Sequence, residues 1–463
     1  MGPRRRAAAV AVVQRELGRA KLRSVQNEDR LKQIIEKLAA RPDKGLPQIL
    51  GDESQLEGAY RFFRNEHVQP EALFAAHAEE TRLRATQARA VVIAHDTTTF
   101  LFGGERKELS RMSGKARGFL GHFAMAIDGA TAMPLGVVHC EAVVRPDDVK
   151  HRKRVGPDDE TNEALRWNRA AGATHEMLPN AVHVMDREAD SYSLLAEMLT
   201  RGQNFVVRLS HRQRRAEGGA IGKLARTAPV VAEREVWLSA RSAPPGPAQR
   251  QRHPARRARQ ARLEISAYPR ADLLRPQNCG ADYSSRIVVN VVRVLEKKPP
   301  RGADPVEWLL YTSLPVDTPE QILAVVDAYR QRWLIEEFFK ALKTGCIYEK
   351  RQLETLHGLL IVLALSVPVA WTCSGYELSC ASIRTLQDLP SPLPHRSLAC
   401  ATKSAAAFRR DPMLVTSSSR SRSWAAILRT TATQAGSRSR EACTTCNCSN
   451  ADTFSRRQPP DQS

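Results

Sequence analysis

The chain contains 463 residues, which is enough for two or three domains and a sizeable core without disulfides or metal staples. Its formal net charge of +20 favours a polyanionic partner, because each Lys or Arg that neutralises a phosphate group releases counterions. The sequence offers no span suited to lipid, so nucleic acid is favoured over an acidic membrane surface.

The first residues have a faint likeness to a secretory signal. The apolar run from Ala7 to Val13 follows three arginines, but it is short and has no small-residue cleavage site. Cysteine usage also favours a reducing setting, since Cys140, Cys279 and Cys346 are scattered without metal-ligand spacing. We therefore expect a cytoplasmic protein with no membrane association.

Residues 1–80 have helical periodicity and predict a small helical domain that binds DNA. One apolar stripe contains Leu31, Ile34, Ile35 and Leu38. Ser54 and Glu57 have the spacing of a capping box at the start of a later helix. Basic side chains are spread over the first half, at Arg15, Arg19, Lys21, Arg23, Arg30, Lys32 and Lys37. They are suited to contacts with the DNA backbone, although a solvated charged face has the same composition.

Residues 81–370 predict an α/β domain with a mixed sheet flanked by helices. The predicted strands are 91–94, 119–127, 135–144, 181–185 and 205–209, with a helix near 161–177 before the fourth. Three consecutive strands followed by alternating helices and strands are typical of such a sheet. Asp96 and Asp186 each follow an apolar strand, and strand ends are where sites are built in α/β sheets.

A β-rich insertion is predicted at about residues 212–305. Prolines interrupt the first part of this segment, while short alternating runs in its second part favour strands. Six arginines lie within positions 250–262. Their pattern fits a segment that contacts phosphate groups and a solvated arm equally well. A strand at 308–314 then returns the chain to the sheet.

The segment from Tyr329 to Lys343 predicts a helix with an apolar face and a chemical face. Tyr329, Arg332, Glu336 and Lys343 fall on one narrow stripe at helical spacing, and apolar residues occupy the opposite arc. A solvated face with intrahelical ion pairs, such as Glu336 with Lys340, is the alternative.

The C-terminal quarter of the chain changes character. Residues 359–370 are apolar but short for a membrane span and contain Pro368, so we predict a buried helix. Residues 371–463 contain 16 Ser and 11 Arg against a single Lys, and this bias favours a disordered or aberrant tail. We hypothesise that a frameshift replaced the original domain there. Cys443 to Cys448 resemble half of a zinc site, with no second ligand pair at suitable spacing.

Two aspartates at strand ends and a glutamate on a packed helix can converge on one point. Three converging carboxylates repel one another unless a divalent cation neutralises them, and all-oxygen ligation favours Mg²⁺ or Mn²⁺. Such ions support phosphoryl transfer on DNA. Glu188 and Asp190 are rivals of Asp186 as the second ligand, and Asp190 has an alternative role as a helix cap.

These residues resemble a known family. Tyr329, Arg332, Glu336 and Lys343 match the Tyr-x2-Arg-x3-Glu-x6-Lys (YREK) signature of bacterial insertion-sequence DDE transposases, a group that includes the transposase of the kanamycin-resistance composite transposon. Further landmarks occur in order over residues 15–365. They are EGAYRFFRN at Glu57, HDTTT at Asp96, KARGFLGH at Lys115, RPDD at Arg145, DREAD at Asp186, FVVR at Phe205 and WLLYTSLPV at Trp308.

The resemblance implies a ribonuclease-H-like catalytic core that performs cut-and-paste transposition. Asp96, Asp186 and Glu336 would bind Mg²⁺ or Mn²⁺ as the catalytic triad. The implied DNA-contact residues are Tyr329, Arg332, Lys343, Lys340, Arg208 and Trp308, of which Trp308 would stack on a flipped base. The implied partners are the terminal inverted repeats of a transposon, target DNA and a second subunit. The two subunits would form a homodimer in which each cleaves the transposon end bound by the other. The implied location is the cytoplasm, in association with the nucleoid.

The sequence also departs from the family after residue 371, where the expected helical dimerisation domain has no counterpart. Two alternatives to an active transposase follow. One is a catalytically defective remnant that binds transposon ends or inhibits active multimers. The other is a nuclease of the same fold without strand transfer, which the YREK stripe disfavours.

Overall fold

A computed structural model describes residues 3–104, 106, 108–113, 116–145, 162–238, 240 and 255–385. The helices are α1 (Pro3–Leu17), α2 (Val25–Ala40), α3 (Leu46–Leu50), α4 (Glu53–Arg64), α5 (Pro70–Ala85), α6 (Leu165–Met177), α7 (Tyr192–Thr200), α8 (Ile221–Thr227), α9 (Pro319–Arg330), α10 (Leu334–Lys340) and α11 (Leu356–Thr385). The strands are β1 (Val91–Phe102), β2 (Ser110–Ser113), β3 (Ala116–Asp128), β4 (Pro134–Val143), β5 (Val182–Met185), β6 (Asn204–Arg208), β7 (Arg215–Ala216), β8 (Gly219–Ala220), β9 (Val230–Leu238), β10 (Arg259–Leu274), β11 (Arg286–Lys297) and β12 (Glu307–Thr312).

The N-terminal region is helical, as the sequence predicts. The apolar stripe of α2 is buried, with Leu31, Ile34, Ile35 and Leu38 each no more than 3% exposed. The predicted capping box at Ser54 is wrong, because Ser54 already lies inside α4. Asp52 is the N-cap instead, and its carboxylate accepts a hydrogen bond from the backbone N–H of Gln55 at 2.8 Å.

One mixed sheet organises the rest of the described chain. The strand order is β2-β3-β1-β5-β6-β12-β11-β10-β7-β8, with β4 also paired to β3 and β9 also paired to β10. Strands β4, β3 and β1 are antiparallel neighbours, whereas β5 and β6 run parallel to β1. This arrangement confirms the prediction of an α/β domain with a mixed sheet flanked by helices.

The predicted β-rich insertion is present, and it extends the same sheet. Strand β12 pairs antiparallel with both β6 and β11, so the insertion strands continue beyond β6 rather than forming a separate layer. Within the described part of the arginine cluster, Arg259 pairs with Glu296 and Arg262 with Glu233. Arg250 and Arg252 lie outside the described residues.

Strand β1 is longer than the sequence predicts, which corrects the position of Asp96. The polar residues after Ala94 favour a strand end, but β1 continues to Phe102 because β3 pairs with it along its whole length. Asp96 therefore lies within β1. Asp186 lies directly after β5, as predicted.

The apolar C-terminal segment forms a buried helix, as predicted, but Pro368 does not end it. Helix α11 runs from Leu356 to Thr385. It is long and apolar enough to cross a membrane, yet 72% of its most apolar stretch is buried against the rest of the protein. It contacts α1, α4, α5 and β4, so its hydrophobicity is explained by a core position. The predicted start of the tail at residue 371 is wrong, because residues 371–385 belong to α11. The rest of the predicted tail, including Cys443 to Cys448, lies outside the described residues.

Candidate active site

The first two predicted carboxylates share one register position on neighbouring strands. Strands β1 and β5 are parallel, and Ala94 opposite Val184 is their last pair. Asp96 and Asp186 each lie two residues past that pair. Because side chains alternate with a period of two along a strand, this register brings the two aspartates to the same face of the sheet, where the β1–β5 pairing ends. We call this position the acidic edge. The third carboxylate, Glu336, reaches this edge from α10, which contacts β1.

Arg332 joins two of the three carboxylates. Its Nη1 donates to Asp96 Oδ2 at 2.7 Å, and its Nη2 donates to Glu336 Oε1 at 2.5 Å. The side chains of Arg332 and Asp96 are only 15% and 18% exposed, so this contact is shielded from solvent. The planar guanidinium suits this role, since it presents several donors in a fixed fork. Glu336 therefore pairs with Arg332, and not with Lys340 as the alternative reading proposed.

The pKa of Asp96 reflects its burial and the charges around it. Burial raises the pKa of Asp96 to about 6; Arg332 opposes this shift, while Asp186 and Glu336 add to it. Burial alone would lower the pKa of Arg332, but Asp96, Tyr329 and Glu336 outweigh burial and raise it. The three carboxylates are thus close enough to disfavour ionisation of Asp96, and Arg332 is the cation that compensates.

The donor set suits a hard divalent cation, because three carboxylates supply only oxygen ligands. Among the described residues, no three acidic, histidine or cysteine side chains are grouped closely enough to hold a metal ion. The guanidinium of Arg332 is the cation that Asp96 and Glu336 share in this structure. The residues fit a divalent cation by their chemistry, while their oxygens are engaged by arginine.

Local hydrogen bonds orient both aspartates. Asp96 Oδ1 accepts from the backbone N–H of Thr97 at 2.8 Å, and Asp186 Oδ1 accepts from that of Glu188 at 2.8 Å. Of the rival ligands, Glu188 pairs with Arg166 at 2.7 Å. Each aspartate therefore presents a fixed carboxylate at the sheet edge.

The other rival, Asp190, is committed elsewhere. It pairs with buried Arg214 and accepts from the backbone N–H groups of Ser210 and His211 at 2.6 and 2.8 Å. The alternative role of Asp190 as a helix cap is wrong. Ser191 is the N-cap of α7, since its hydroxyl accepts from the N–H of Leu194 at 3.2 Å.

The helix predicted from Tyr329 to Lys343 is less regular than the sequence indicates. After α9, a 3₁₀ turn (Gln331–Trp333) leads into α10, and a π turn (Ala341–Gly345) follows it. Lys343 lies in the π turn, and its Nζ donates to the carbonyl oxygen of Thr99 on β1 at 2.5 Å. The predicted chemical stripe therefore faces β1, and its cations are hydrogen-bonded to the protein.

The remaining predicted DNA-contact residues occupy different environments. Tyr329 is buried, and its ring meets Trp308 edge-on with centroids 5.5 Å apart. Burial raises the pKa of Tyr329, and the nearby cations Arg208 and Arg332 lower it in part. Lys340 lies at the surface, 3.8 Å from Glu337. Arg208, Tyr329 and Trp308 thus form one group beside Arg332, whereas Lys340 lies apart from it.

Sequence reasoning missed two residues near this site. Trp333 is 57% exposed and follows Arg332 directly, so its indole offers a stacking face to solvent. An aromatic residue beside the polar stripe was the available signal. Arg166 on α6 contacts residues next to both aspartates, and its spacing in the sequence gives no signal.

Two family models and one solved structure are similar to this chain. The family model Transposase DNA-binding matches residues 10–68, and the model Transposase DDE domain matches residues 87–367. A cryo-EM structure of a piggyBac transposase synaptic complex with hairpin DNA is also similar, at 13% sequence identity and a TM-score of 0.36, covering 90% of this chain and 84% of that one. The family assignment rests on the sequence models, the second of which spans more than half of the chain. The protein belongs to the family of DDE-domain transposases.

Proposed function

We propose that the protein catalyses metal-dependent strand cleavage and strand transfer at transposon ends, in a cut-and-paste reaction. One observation carries the proposal. Asp96 and Asp186 share a register position at the sheet edge, and Glu336 is joined to Asp96 through Arg332. Three acids and an arginine at one location, in a protein of net charge +20, support this proposal.

Asp96, Asp186 and Glu336 are the proposed ligands of Mg²⁺ or Mn²⁺. Such an ion, when bound, activates the attacking oxygen and stabilises the leaving oxygen of an in-line phosphoryl transfer. The protein contributes orientation, because the backbone N–H groups of Thr97 and Glu188 fix the two aspartates. It also contributes burial, which strengthens every charge interaction at Asp96.

Arg332 has two anionic partners in this proposal. In the described state its guanidinium binds Asp96 and Glu336. A DNA phosphate would attract the same fork, since arginine binds phosphate and carboxylate in similar bidentate geometry. Transfer of Arg332 to DNA would free the carboxylates for the divalent cation. Lys343 would serve as a second phosphate contact, and Trp333 and Trp308 as stacking faces.

The helical N-terminal region is the proposed binding site for terminal inverted repeats. Several basic side chains there are already engaged within the protein: Arg19 pairs with Glu80, Lys32 with Asp29, and Lys37 donates to Leu50 O. The boundary with the catalytic part remains a proposal, and the predicted position at residue 80 falls inside α5. The proposed protein also binds target DNA and forms a homodimeric paired-end complex. Its proposed location is the cytoplasm, in association with the nucleoid.

A binding-competent but catalytically defective protein is the second candidate. It is favoured by the engagement of Asp96 and Glu336 with Arg332, together with the absence of a grouped metal-ligand set among the described residues. In that case the protein would occupy transposon ends or inhibit active multimers.

One experiment separates these functions. Purified protein is incubated with Mg²⁺ or Mn²⁺ and DNA that carries the terminal inverted repeats of the element, and cleaved strands are resolved on a denaturing gel. Cleavage at the repeat ends that disappears in Glu336→Ala supports the transposase. Specific binding without cleavage supports the defective protein. Cutting that ignores the repeat sequence contradicts both and indicates a nuclease.

A further inference from the structure

We infer that Arg166 is a positioning residue that sets the arrangement of Asp96 and Asp186, an inference that rests on the proposed metal-dependent function. Arg166 lies on α6 and belongs to none of the motifs that identified the family. It nevertheless links the residues that orient the two aspartates. The connection is a continuous series of hydrogen bonds from one carboxylate to the other.

The series begins at Asp96. Its Oδ1 accepts from the backbone N–H of Thr97 at 2.8 Å, and the hydroxyl of Thr97 accepts from Arg166 Nε at 2.9 Å. Thr97 Oγ1 also lies 2.9 Å from Nδ1 of buried His122. The hydroxyl therefore has hydrogen-bond partners on two sides, Arg166 and His122. The backbone that holds Asp96 is therefore fixed from two sides.

The series ends at Asp186 by the same pattern. Arg166 Nη2 donates to Glu188 Oε2 at 2.7 Å, and the backbone N–H of Glu188 donates to Asp186 Oδ1 at 2.8 Å. In each half, the residue whose N–H holds an aspartate has its own side chain bound to Arg166. One guanidinium thus ties strand β1 to the turn after β5.

The contacts at position 166 depend on the planar fork of an arginine side chain. Arg166 is 8% exposed, and its third contact, from Nη1 to the carbonyl oxygen of Glu163 at 2.7 Å, fixes the plane of the fork on its own helix. Three nitrogens of one rigid group reach three different acceptors. A lysine ammonium presents its donors from a single atom and cannot span Thr97 and Glu188 together. Hydrogen bonds behind metal ligands commonly decide metal affinity in this way.

The test compares substitutions that break the series with a matched control. Arg166→Gln and Arg166→Lys remove the fork, and Thr97→Val removes the hydroxyl while keeping the side-chain shape. Thr97→Ser keeps the hydroxyl and serves as the conservative rescue. The control is Arg169→Lys, three residues along the same helix, because Arg169 pairs with Glu141 on β4 and none of its hydrogen bonds and ion pairs in the described structure reaches Thr97 or Glu188.

Mn²⁺ binding to the full chain is measured by electron paramagnetic resonance, with Asp96→Asn as the reference for loss of the site. We expect about 10- to 100-fold weaker Mn²⁺ binding in Arg166→Gln, Arg166→Lys and Thr97→Val. Thr97→Ser and Arg169→Lys should stay within about twofold of wild type, and affinity for end DNA should be unchanged throughout. Wild-type Mn²⁺ affinity in both Arg166→Gln and Thr97→Val would overturn the inference.

A second measurement needs no metal. Amide hydrogen exchange reports the N–H groups of Thr97 and Glu188, and we expect exchange at both to accelerate about tenfold or more in Arg166→Gln but not in Arg169→Lys. Unchanged exchange at both amides also overturns the inference. A third outcome separates the two claims: the wild type and Asp96→Asn bind Mn²⁺ equally, while Arg166→Gln still accelerates exchange. In that case the proposed function fails and the positioning role of Arg166 stands.

Discussion

At the scale of single residues, the central feature is that one arginine serves as counter-ion for the acids. Arg332 holds Asp96 and Glu336 in a shielded position, and it compensates charges that burial would otherwise disfavour. A buried carboxylate that loses its only cation is strongly disfavoured, so these carboxylates need either Arg332 or another cation. Arginine and a divalent metal ion therefore compete for the same oxygens.

This competition predicts an unusual effect of Arg332→Ala. Removing the guanidinium should strengthen Mn²⁺ binding by about tenfold or more, since each charge-assisted hydrogen bond is worth about 1.5–3 kcal/mol and 1.4 kcal/mol corresponds to tenfold. Strand cleavage should nevertheless fall, because the phosphate contact is lost. Electron paramagnetic resonance of Mn²⁺ checks the first effect, and a gel assay checks the second.

Lys340→Ala is the control for this prediction. Lys340 is a nearby cation at the end of α10, but its side chain is 71% exposed and contacts neither Asp96 nor Glu336 among its hydrogen bonds and ion pairs in the described structure. It should leave Mn²⁺ affinity unchanged. Equal or weaker Mn²⁺ binding in Arg332→Ala would show that the guanidinium does not compete with metal.

At the scale of elements, strands β1, β3 and β5 carry buried histidines beneath the acidic edge. His95, His122 and His183 are completely buried, and His95 Nε2 lies 3.0 Å from His183 Nδ1. Burial lowers the pKa of all three, to about 3 for His183 and well below the usual value for the other two. The sheet therefore holds these three histidines in the neutral form.

This burial predicts acid sensitivity with a defined sign. In the unfolded chain these histidines take up protons near pH 6.5, while in the folded chain they stay neutral, so stability is present above pH 6.5 and is lost as pH falls toward the folded pKa. Each such histidine should lower the free energy of unfolding by about 1.4 kcal/mol for each pH unit below pH 6.5. Urea unfolding between pH 7 and pH 5 measures this slope.

His183→Gln isolates one of these contributions. It should reduce the slope by about 1.4 kcal/mol per pH unit, whatever its effect on stability at pH 7. Identical slopes in the wild type and His183→Gln would contradict the assignment of buried, neutral histidine.

At the scale of the whole described molecule, a buried charge cluster joins the N-terminal helices to the sheet and to α11. Glu16 on α1 is 1% exposed and binds both His77 and Arg84 of α5, at 2.7 and 2.5 Å. Arg84 in turn donates to Leu135 O on β4 and lies 4.3 Å from the ring centre of Trp371. Burial favours neutral Glu16, but its hydrogen bonds outweigh burial and lower the pKa of Glu16.

Glu16→Gln should therefore destabilise the entire described unit. Loss of this carboxylate leaves Arg84 without its charge partner, and breaking a buried pair in this way costs about 3–5 kcal/mol. Glu57→Gln is the matched control, because the Glu57 and Arg61 side chains are 61% and 75% exposed, and it should cost no more than about 1 kcal/mol. Chemical denaturation with far-UV circular dichroism compares them, and equal costs would contradict a unifying role for the cluster.

The sequence alone determined the α/β class, the helical start, the strands later seen as β1, β3, β4, β5 and β6, and the three acids that carry the proposal. Periodicity and residue type are local properties, so they are readable without a structure. The polarity pattern of the sequence does not show strand pairing or cap geometry. It therefore did not predict the full length of β1, the joining of the insertion to the same sheet, or the cap at Asp52. Only the tertiary structure placed Arg332 between Asp96 and Glu336, and Arg166 between Thr97 and Glu188. Those contacts join residues up to 236 positions apart, and long-range convergence is decided by sheet register and helix packing rather than by spacing in the chain.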